Sequence, residues 1–136
     1  MVKGLAHVCI GVSDLDATEA FYVDALGMEL AFDFCRGGQR IGFYIKAGES
    51  TFLEVFATPE AHADGSSLIK HFCLEVDDLD AVIRRLNDCG VEVSDKALGA
   101  DNSWQAWITD PNGIRIEMMQ YSDTSTQFTG RAVVLD

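Results

Sequence analysis

Residues 7–17 read HVCIGVSDLDA, and residues 71–81 repeat that pattern as HFCLEVDDLDA. Both stretches start with His, carry Cys at the third position and end in Asp-Leu-Asp-Ala. Alternating apolar residues predict a strand over the first half of each stretch, and the Asp that follows is typical of a helix N-cap. A repeat of this kind indicates two copies of one supersecondary unit.

The first copy continues into a helix and three further strands. A strand over 5–12 leads into a helix that begins at Asp14 and ends at Gly27, because Gly readily takes the backbone conformation that stops a helix. Short apolar runs bounded by Gly and polar residues predict the remaining strands over 28–34, 41–46 and 51–57.

The second copy follows the same order. A strand over 68–76 precedes a helix over 79–89, which Gly90 ends. Further strands are predicted over 91–93 or slightly beyond, over 104–109 and over 114–121. The sequence Asp110-Pro111-Asn112-Gly113 predicts a tight turn between the last two strands, since Pro presets φ and Gly tolerates positive φ. The whole pattern predicts an α+β fold of two tandem βαβββ modules.

The repeat also predicts where one part of the chain ends and the next begins. Pro59, Gly65 and two serines mark a connector in which His62 is interpreted as a solvated loop residue. The tail beyond Tyr121 either frays or docks on a partner subunit. The predicted organisation is a first module over 1–58, a connector over 59–67, a second module over 68–121 and a C-terminal tail over 122–136.

Hydrophobic content, net charge and Cys spacing indicate which classes of protein this chain could belong to. The 136 residues are 48% hydrophobic, which suffices for a substantial core. A net charge of −12 with ten Lys and Arg argues against a nucleic-acid partner. No apolar stretch approaches the roughly 20 residues that span a membrane, and no leader pattern opens the chain, so we expect a cytoplasmic protein. The four Cys form no C-x-x-C pair and are interpreted as free thiols.

Strand parity singles out two acidic and two imidazole side chains. Residues two apart on a strand share a face, so Leu53 and Val55 leave Glu54 on the opposite face, between aromatic neighbours. A carboxylate there must be paired or coordinated to be tolerated. The same reasoning sets His7 opposite the apolar face of its strand, and it repeats for the corresponding pair in the second copy, His71 and Glu117.

These four side chains predict a metal site. Taken singly, each has a plain structural explanation as a satisfied His or as half of an ion pair, but the repeat links all four positions. Two imidazoles and two carboxylates suit a six-coordinate divalent ion with two positions left for water or substrate. Donor softness excludes none of Ni, Zn, Fe, Mn or Co. The predicted ligands are His7, Glu54, His71 and Glu117.

The chain resembles the vicinal oxygen chelate superfamily over residues 4–121. The resemblance is carried by His7 and His71, by FYVDALG at 21–27, and by DPNG at 110–113 followed by Glu117. This superfamily includes glyoxalase I, methylmalonyl-CoA epimerase, extradiol dioxygenases, fosfomycin-resistance enzymes and bleomycin-resistance proteins. It implies two βαβββ modules that form a curved mixed sheet around a metal site.

Within that superfamily the ligand order His, Glu, His, Glu is similar to that of glyoxalase I, also called lactoylglutathione lyase. The resemblance implies a divalent metal cofactor, Ni or Zn before Fe, Mn or Co. It implies a metal-dependent lyase or isomerase acting on a small substrate with vicinal oxygens, such as a methylglyoxal hemithioacetal. Glu117 and Glu54 would be the catalytic residues, with Glu117 moving a proton between adjacent carbons.

Other members of the superfamily leave two alternatives. One is a dioxygenase or epimerase on the same scaffold, and the other is a non-catalytic small-molecule binder of the bleomycin-resistance type. Where bacterial glyoxalase I proteins tend to have an Arg and an Asn that serve glutathione, this chain has Gly11 and Thr58, which leaves another thiol adduct open as the substrate. A homodimer with no membrane or nucleic-acid partner is expected.

Overall fold

The computed structural model describes residues 1, 5–59 and 69–135 of the chain. It divides into two compact units, one of Met1–Ser66 with Asp110–Gly113 and the other of Ser67–Thr109 with Ile114–Asp136. Each unit holds one four-stranded mixed sheet with few helices, which confirms the α+β fold of two modules. Apart from Pro59, the connector predicted over 59–67 lies outside the described residues, and so does His62.

The first unit is built in the predicted order. Its elements are β1 (His7–Val12), α1 (Leu15–Glu19) continued by a π-helical turn (Ala20–Ala25), β2 (Glu29–Arg36), β3 (Gln39–Lys46) and β4 (Phe52–Ala57). The strand order is β1-β4-β3-β2, with β1 parallel to β4 and the other pairs antiparallel. Asp14 caps α1 by accepting a 2.9 Å hydrogen bond from the Ala17 amide, as predicted.

The second unit repeats the arrangement with a weaker edge. Its elements are β5 (Phe72–Glu75), α2 (Leu79–Asp88), β6 (Ala97–Leu98), β7 (Trp104–Thr109), β8 (Arg115–Gln120) and α3 (Thr126–Thr129). The strand order is β5-β8-β7-β6, again with the first pair parallel. Because β5 starts at Phe72, His71 immediately precedes the strand.

The prediction of a strand over 91–93 is wrong, because those residues form no strand. The edge partner of β7 is instead the two-residue strand β6, which pairs Ala97 with Gln105. Next to it, the Ser94 hydroxyl accepts a 2.8 Å bond from the Trp107 amide while the Ser94 amide donates to the Trp107 carbonyl. The Ser94 hydroxyl therefore accepts the hydrogen bond that the Trp107 amide would otherwise donate to a neighbouring strand. Ser side chains compete with regular secondary structure in this way.

Strand parity places the core where the sequence predicts it. In the first unit Leu53 and Val55 are buried, and in the second Ile116 and Met118 are fully buried. The opposite faces of β4 and β8 are therefore left to Glu54 and the partly buried Glu117.

Two further segments pack through polar contacts. The 110–113 turn belongs to the first unit, where Asp110 accepts a 2.9 Å bond from the buried Tyr22 hydroxyl and Asn112 donates to Thr18. In the second unit, the C-terminal tail packs on the rest of the unit at Ser125. The Ser125 hydroxyl accepts a 2.9 Å hydrogen bond from the Ser103 hydroxyl. No helix among the described residues has the length and apolar character to cross a membrane.

Candidate metal centre

The first unit brings His7 and Glu54 to one face of its sheet. The parallel register sets Cys9 beside Glu54 and His7 beside Phe52. His7 Nε2 lies 4.0 Å from Glu54 Oε1, and the two side chains are 43% and 18% exposed. The sequence-predicted pair therefore lies together at a face that is accessible to a ligand.

Tyr44 completes this group from β3, where it lies directly across from Glu54. Its hydroxyl is 3.3 Å from His7 Nδ1 and its ring centroid is 5.8 Å from that of the imidazole. The nearby Glu54 carboxylate raises the pKa of Tyr44. Burial, followed by the same carboxylate, raises the pKa of the Cys9 thiol. The sequence patterns described above do not single out Tyr44.

Aromatic rings surround this polar group. Phe32 stacks on Tyr44 with centroids 4.7 Å apart, and Phe34 packs on Phe56 at the same separation. Phe52 lies 5.5 Å from Tyr44, so the prediction of a carboxylate between aromatic side chains is confirmed. Phe32 remains 49% exposed, which leaves an apolar ring beside the polar pair.

The second unit holds His71 and Glu117 in the same relation. His71 Nε2 lies 3.3 Å from Glu117 Oε2, and the side chains are 39% and 11% exposed. Cys73 is in register with Glu117 on the neighbouring strand. Burial, and then the negative charges of Glu117, Asp101 and Glu75, raise the pKa of Cys73 to about 12. This thiol is therefore protonated at neutral pH.

Trp107 is the residue of β7 that lies across from Glu117. Its ring meets the imidazole of His71 edge-on, with centroids 4.8 Å apart, and the Arg115 guanidinium lies 4.4 Å from its ring centroid. Trp107 also lines a cavity of about 370 Å³, together with Ser94, Glu92 and Arg115. Trp107 therefore contacts both the imidazole of the second pair and the Arg115 guanidinium.

The internal repeat extends to these contacts. Three pairs of residues occupy equivalent register positions in the two sheets: Cys9 and Cys73, Tyr44 and Trp107, Glu54 and Glu117. His7 begins β1, whereas His71 immediately precedes β5. Trp107 follows Tyr44 by 63 positions, and Glu117 follows Glu54 by the same number. That shared offset is the sequence signal that could have identified both aromatic partners.

Each unit presents two donor groups of the types that bind divalent metal ions. Two donors about 2.1 Å from one ion, in adjacent octahedral positions, lie about 3 Å apart. The His71–Glu117 separation of 3.3 Å is close to that value, and the His7–Glu54 separation of 4.0 Å is longer. Within the described ranges, no three His, Cys, Asp or Glu side chains form a group that could hold an ion. Each unit therefore presents one imidazole and one carboxylate.

Gly11 and Thr58 are neighbours at the end of β1. A Cβ atom at Gly11 would lie 2.7 Å from Thr58 Oγ1 and 3.1 Å from Thr58 Cβ. Real Cβ atoms do not approach heavy atoms to 2.7 Å, so a side chain at position 11 requires Thr58 to move. Neither residue supplies a positive charge to this end of the sheet.

The comparison with protein families and the comparison with single proteins agree with each other. The model of the Glyoxalase/Bleomycin resistance protein/Dioxygenase superfamily matches residues 4–118. A probable lactoylglutathione lyase from Synechocystis sp. is 31% identical over 127 residues, which cover 87% of this chain and 95% of that protein.

Solved structures agree in fold. An antibiotic-binding protein from Streptomyces sp., TnmS3, is 27% identical with a TM-score of 0.73, covering 89% of this chain and 98% of that one. A glyoxalase family protein from Enterococcus faecalis is 28% identical with a TM-score of 0.70, covering 86% and 97%. The family match covers most of the chain and confirms the resemblance carried by the repeated His and Glu positions. The chain belongs to the glyoxalase/bleomycin resistance protein/dioxygenase superfamily.

Proposed function

We propose that this protein is a metal-dependent lyase or isomerase of the glyoxalase I type. The observation that carries the proposal is the occurrence, in both repeated units, of an imidazole nitrogen and a carboxylate oxygen 3.3 to 4.0 Å apart on one sheet face. The similarity to a probable lactoylglutathione lyase supports the same reaction class.

The proposed ligands are His7 and Glu54 from one unit with His71 and Glu117 from the other, in one chain or in two. Two such pairs supply four donors, and a six-coordinate ion then keeps two positions for adjacent oxygens of a substrate. A divalent ion held there, Ni or Zn before Fe, Mn or Co, supplies Lewis acidity. Imidazole and carboxylate donors are compatible with all of these metals.

Glu117 is the proposed general base. Its carboxylate is the more buried of the two, with a side chain 11% exposed against 18% for Glu54, and Trp107 lies across from it on β7. In an isomerisation it takes a proton from the carbon beside the carbonyl and returns it to the adjacent carbon. Glu54 is the corresponding carboxylate in the first unit and is the second catalytic residue of this proposal.

The substrate class follows from the groups near the site. A hemithioacetal of methylglyoxal has the required adjacent oxygens, but Gly11 and Thr58 supply no cation for a glutathione carboxylate. A missing charge-assisted hydrogen bond weakens binding by about 1.5 to 3 kcal/mol, or roughly ten- to a hundredfold. We therefore expect an adduct of another thiol to be preferred over the glutathione adduct.

The test is an activity profile on protein of known metal content. Purified protein is analysed for metals and then assayed with methylglyoxal adducts of glutathione and of smaller thiols. Glu117→Gln is expected to lower kcat by roughly 10²- to 10⁴-fold, because it removes the base. Glu49→Gln, an exposed carboxylate in the loop after β3, is the matched control and should retain full activity. A metal-loaded protein inactive on every adduct would overturn the proposal.

The aromatic face of the first unit favours a second candidate, a non-catalytic binder of planar aromatic compounds. Phe32 is 49% exposed and stacks on Tyr44, so a flat ligand could extend the stack. The similarity to TnmS3, an antibiotic-binding protein, is in keeping with this. This candidate predicts that an aromatic antibiotic binds without metal, that Phe32→Ala weakens binding, and that Glu117→Gln leaves it unchanged.

A further inference from the structure

Arg115 places a positive charge on the sheet face that holds the second His–Glu pair. It lies two residues before Glu117 on β8, so the two side chains share a face and their Cα atoms are about 7 Å apart. The Arg115 guanidinium lies 4.4 Å from the centroid of the Trp107 ring, and the same ring meets His71 edge-on at 4.8 Å. One aromatic ring therefore contacts both this cation and a proposed metal ligand.

The Arg115 guanidinium keeps its hydrogen-bond donors available for a ligand. Among the described residues, no carboxylate lies within ion-pair distance of it, and none accepts a hydrogen bond from it. By contrast, the guanidinium of Arg40 is paired with both Glu19 and Asp33. Arg115 is also an exposed residue, so a ligand can reach it. Stacking on an aromatic ring orients the planar guanidinium before any ligand binds.

This guanidinium borders a cavity of about 370 Å³, a volume within the range of small-molecule sites. Trp107, Ser94, Thr109 and Glu92 also line that cavity. Thr109 lies directly across from Arg115 in the antiparallel register, where opposite side chains start about 5 Å apart. A cation and hydroxyl groups therefore border the same space, and both can donate hydrogen bonds to an oxyanion.

The charge of Glu92 limits which anion fits the cavity. The whole chain has a net charge of −12, so an anion approaches the protein against its overall field. Glu92 adds a negative charge to the cavity lining itself. A carboxylate brings one negative charge to Arg115, whereas a phosphate group brings about 1.5 to 2 at neutral pH. The lining therefore favours a carboxylate over a phosphate.

We propose that Arg115 is a specificity-determining residue that binds a carboxylate at the non-reacting end of the substrate. The inference rests on the proposed function for the reacting end, and it narrows the substrate class to methylglyoxal adducts of thiols that carry one carboxylate. A guanidinium forms two parallel hydrogen bonds to such a group. Because Arg115 and Glu117 are about 7 Å apart along β8, the carboxylate lies several bonds away from the reacting carbons.

A binding experiment with unreactive probes tests the assignment directly. The thioether 3-(acetonylthio)propionate and its primary amide are titrated into the protein with and without Zn²⁺, and the Arg side-chain Nε–H signals are followed by ¹H–¹⁵N spectroscopy. We expect the carboxylate to shift the Arg115 signal and to bind about 10- to 100-fold more tightly than the amide in both forms. Arg115→Gln should remove this preference. Arg115→Lys should retain part of it, because Lys keeps the charge without the planar fork.

Arg84→Gln is the matched control. It removes one positive charge from an exposed position of α2 that does not line the cavity, and it should keep the full preference for the carboxylate. Equal binding of the two probes by the unaltered protein, absence of binding by both, or a preference that survives in Arg115→Gln would overturn the inference. Tighter binding of a phosphonate probe of the same length would overturn the choice of a carboxylate.

Turnover separates this inference from the proposed function. With the methylglyoxal adducts of 3-mercaptopropionate and of its amide, kcat/KM should favour the acid about 10- to 100-fold, mainly through KM, and Arg115→Gln should abolish the difference. A protein that binds the carboxylate probe through Arg115 but isomerises neither adduct would overturn the proposed function and leave the carboxylate site in place. A protein that isomerises both adducts equally well would overturn the inference and leave the proposed function in place.

Discussion

Glu117 is a charged residue of which only 9% is exposed, in a domain of ordinary size. Removing a carboxylate from water is costly unless a partner compensates, and here the partner is His71 at 3.3 Å. Glu54 lies 4.0 Å from His7 and directly across from Tyr44, with aromatic rings around this group. At the scale of single residues, the buried Glu117 and the half-buried Glu54 are the features that require a functional explanation.

Asp101 is the residue whose protonation should affect stability. Partial burial alone would raise its pKa, but hydrogen bonds from Gln127 and Ser103 outweigh burial and hold the pKa of Asp101 below its usual range. A carboxyl whose pKa is depressed in the folded state stabilises that state above its unfolded pKa, and the contribution is lost as pH falls through the folded value.

We therefore expect Asp101→Asn to destabilise the protein at pH 7 and to do so less at pH 3. Urea unfolding at both pH values measures this difference. Gln127→Leu removes one of the donors that depress the pKa and should reproduce part of the pH-dependent loss. A deficit of equal size at pH 7 and pH 3 would contradict the prediction.

At the scale of elements, β3 and β4 approach each other closely at Gly42. A Cβ atom there would collide with the carbonyl oxygen of Val55 and come within 2.8 Å of the Phe56 ring. Both obstacles belong to β4, the strand that carries Glu54. The absence of a side chain at Gly42 thus allows the strand pair that places Tyr44 across from Glu54.

Gly42→Ala is expected to lower the free energy of unfolding by about 1 to 3 kcal/mol, because overpacking forces the backbone to shift. Gly48→Ala is the matched control, since the nearest atom there is Thr51 Cβ at 3.7 Å, an ordinary contact. Chemical denaturation of both variants gives the comparison. If the two variants are equally stable, the close approach at Gly42 carries no cost.

At the scale of the whole molecule, two units each present one imidazole and one carboxylate. A ligand that binds only the folded state stabilises it by mass action, by about 2.7 kcal/mol at a concentration of 100 times Kd. If both pairs serve one ion, the metal should stabilise both units together.

This argument predicts the effect of removing one pair. His7→Gln and His71→Gln should weaken Zn²⁺ binding by similar factors and lower the metal-induced rise in Tm to a similar extent. Titration of metal-free protein, with Tm measured by scanning calorimetry, provides the test. A large loss in one variant with none in the other would show that a single unit holds the ion.

The sequence by itself determined the repeat, the two-module α+β fold, the caps and the faces on which His7, Glu54, His71 and Glu117 lie. These follow from local rules, since a strand alternates every second residue and an N-cap acts over three. Only the tertiary structure decided the short edge strand β6, the docking of Asp110 on Tyr22, and the roles of Tyr44 and Trp107 beside the two pairs. Those contacts depend on register between strands far apart in sequence, because which side chains meet is set by packing across the sheet rather than by neighbours along the chain.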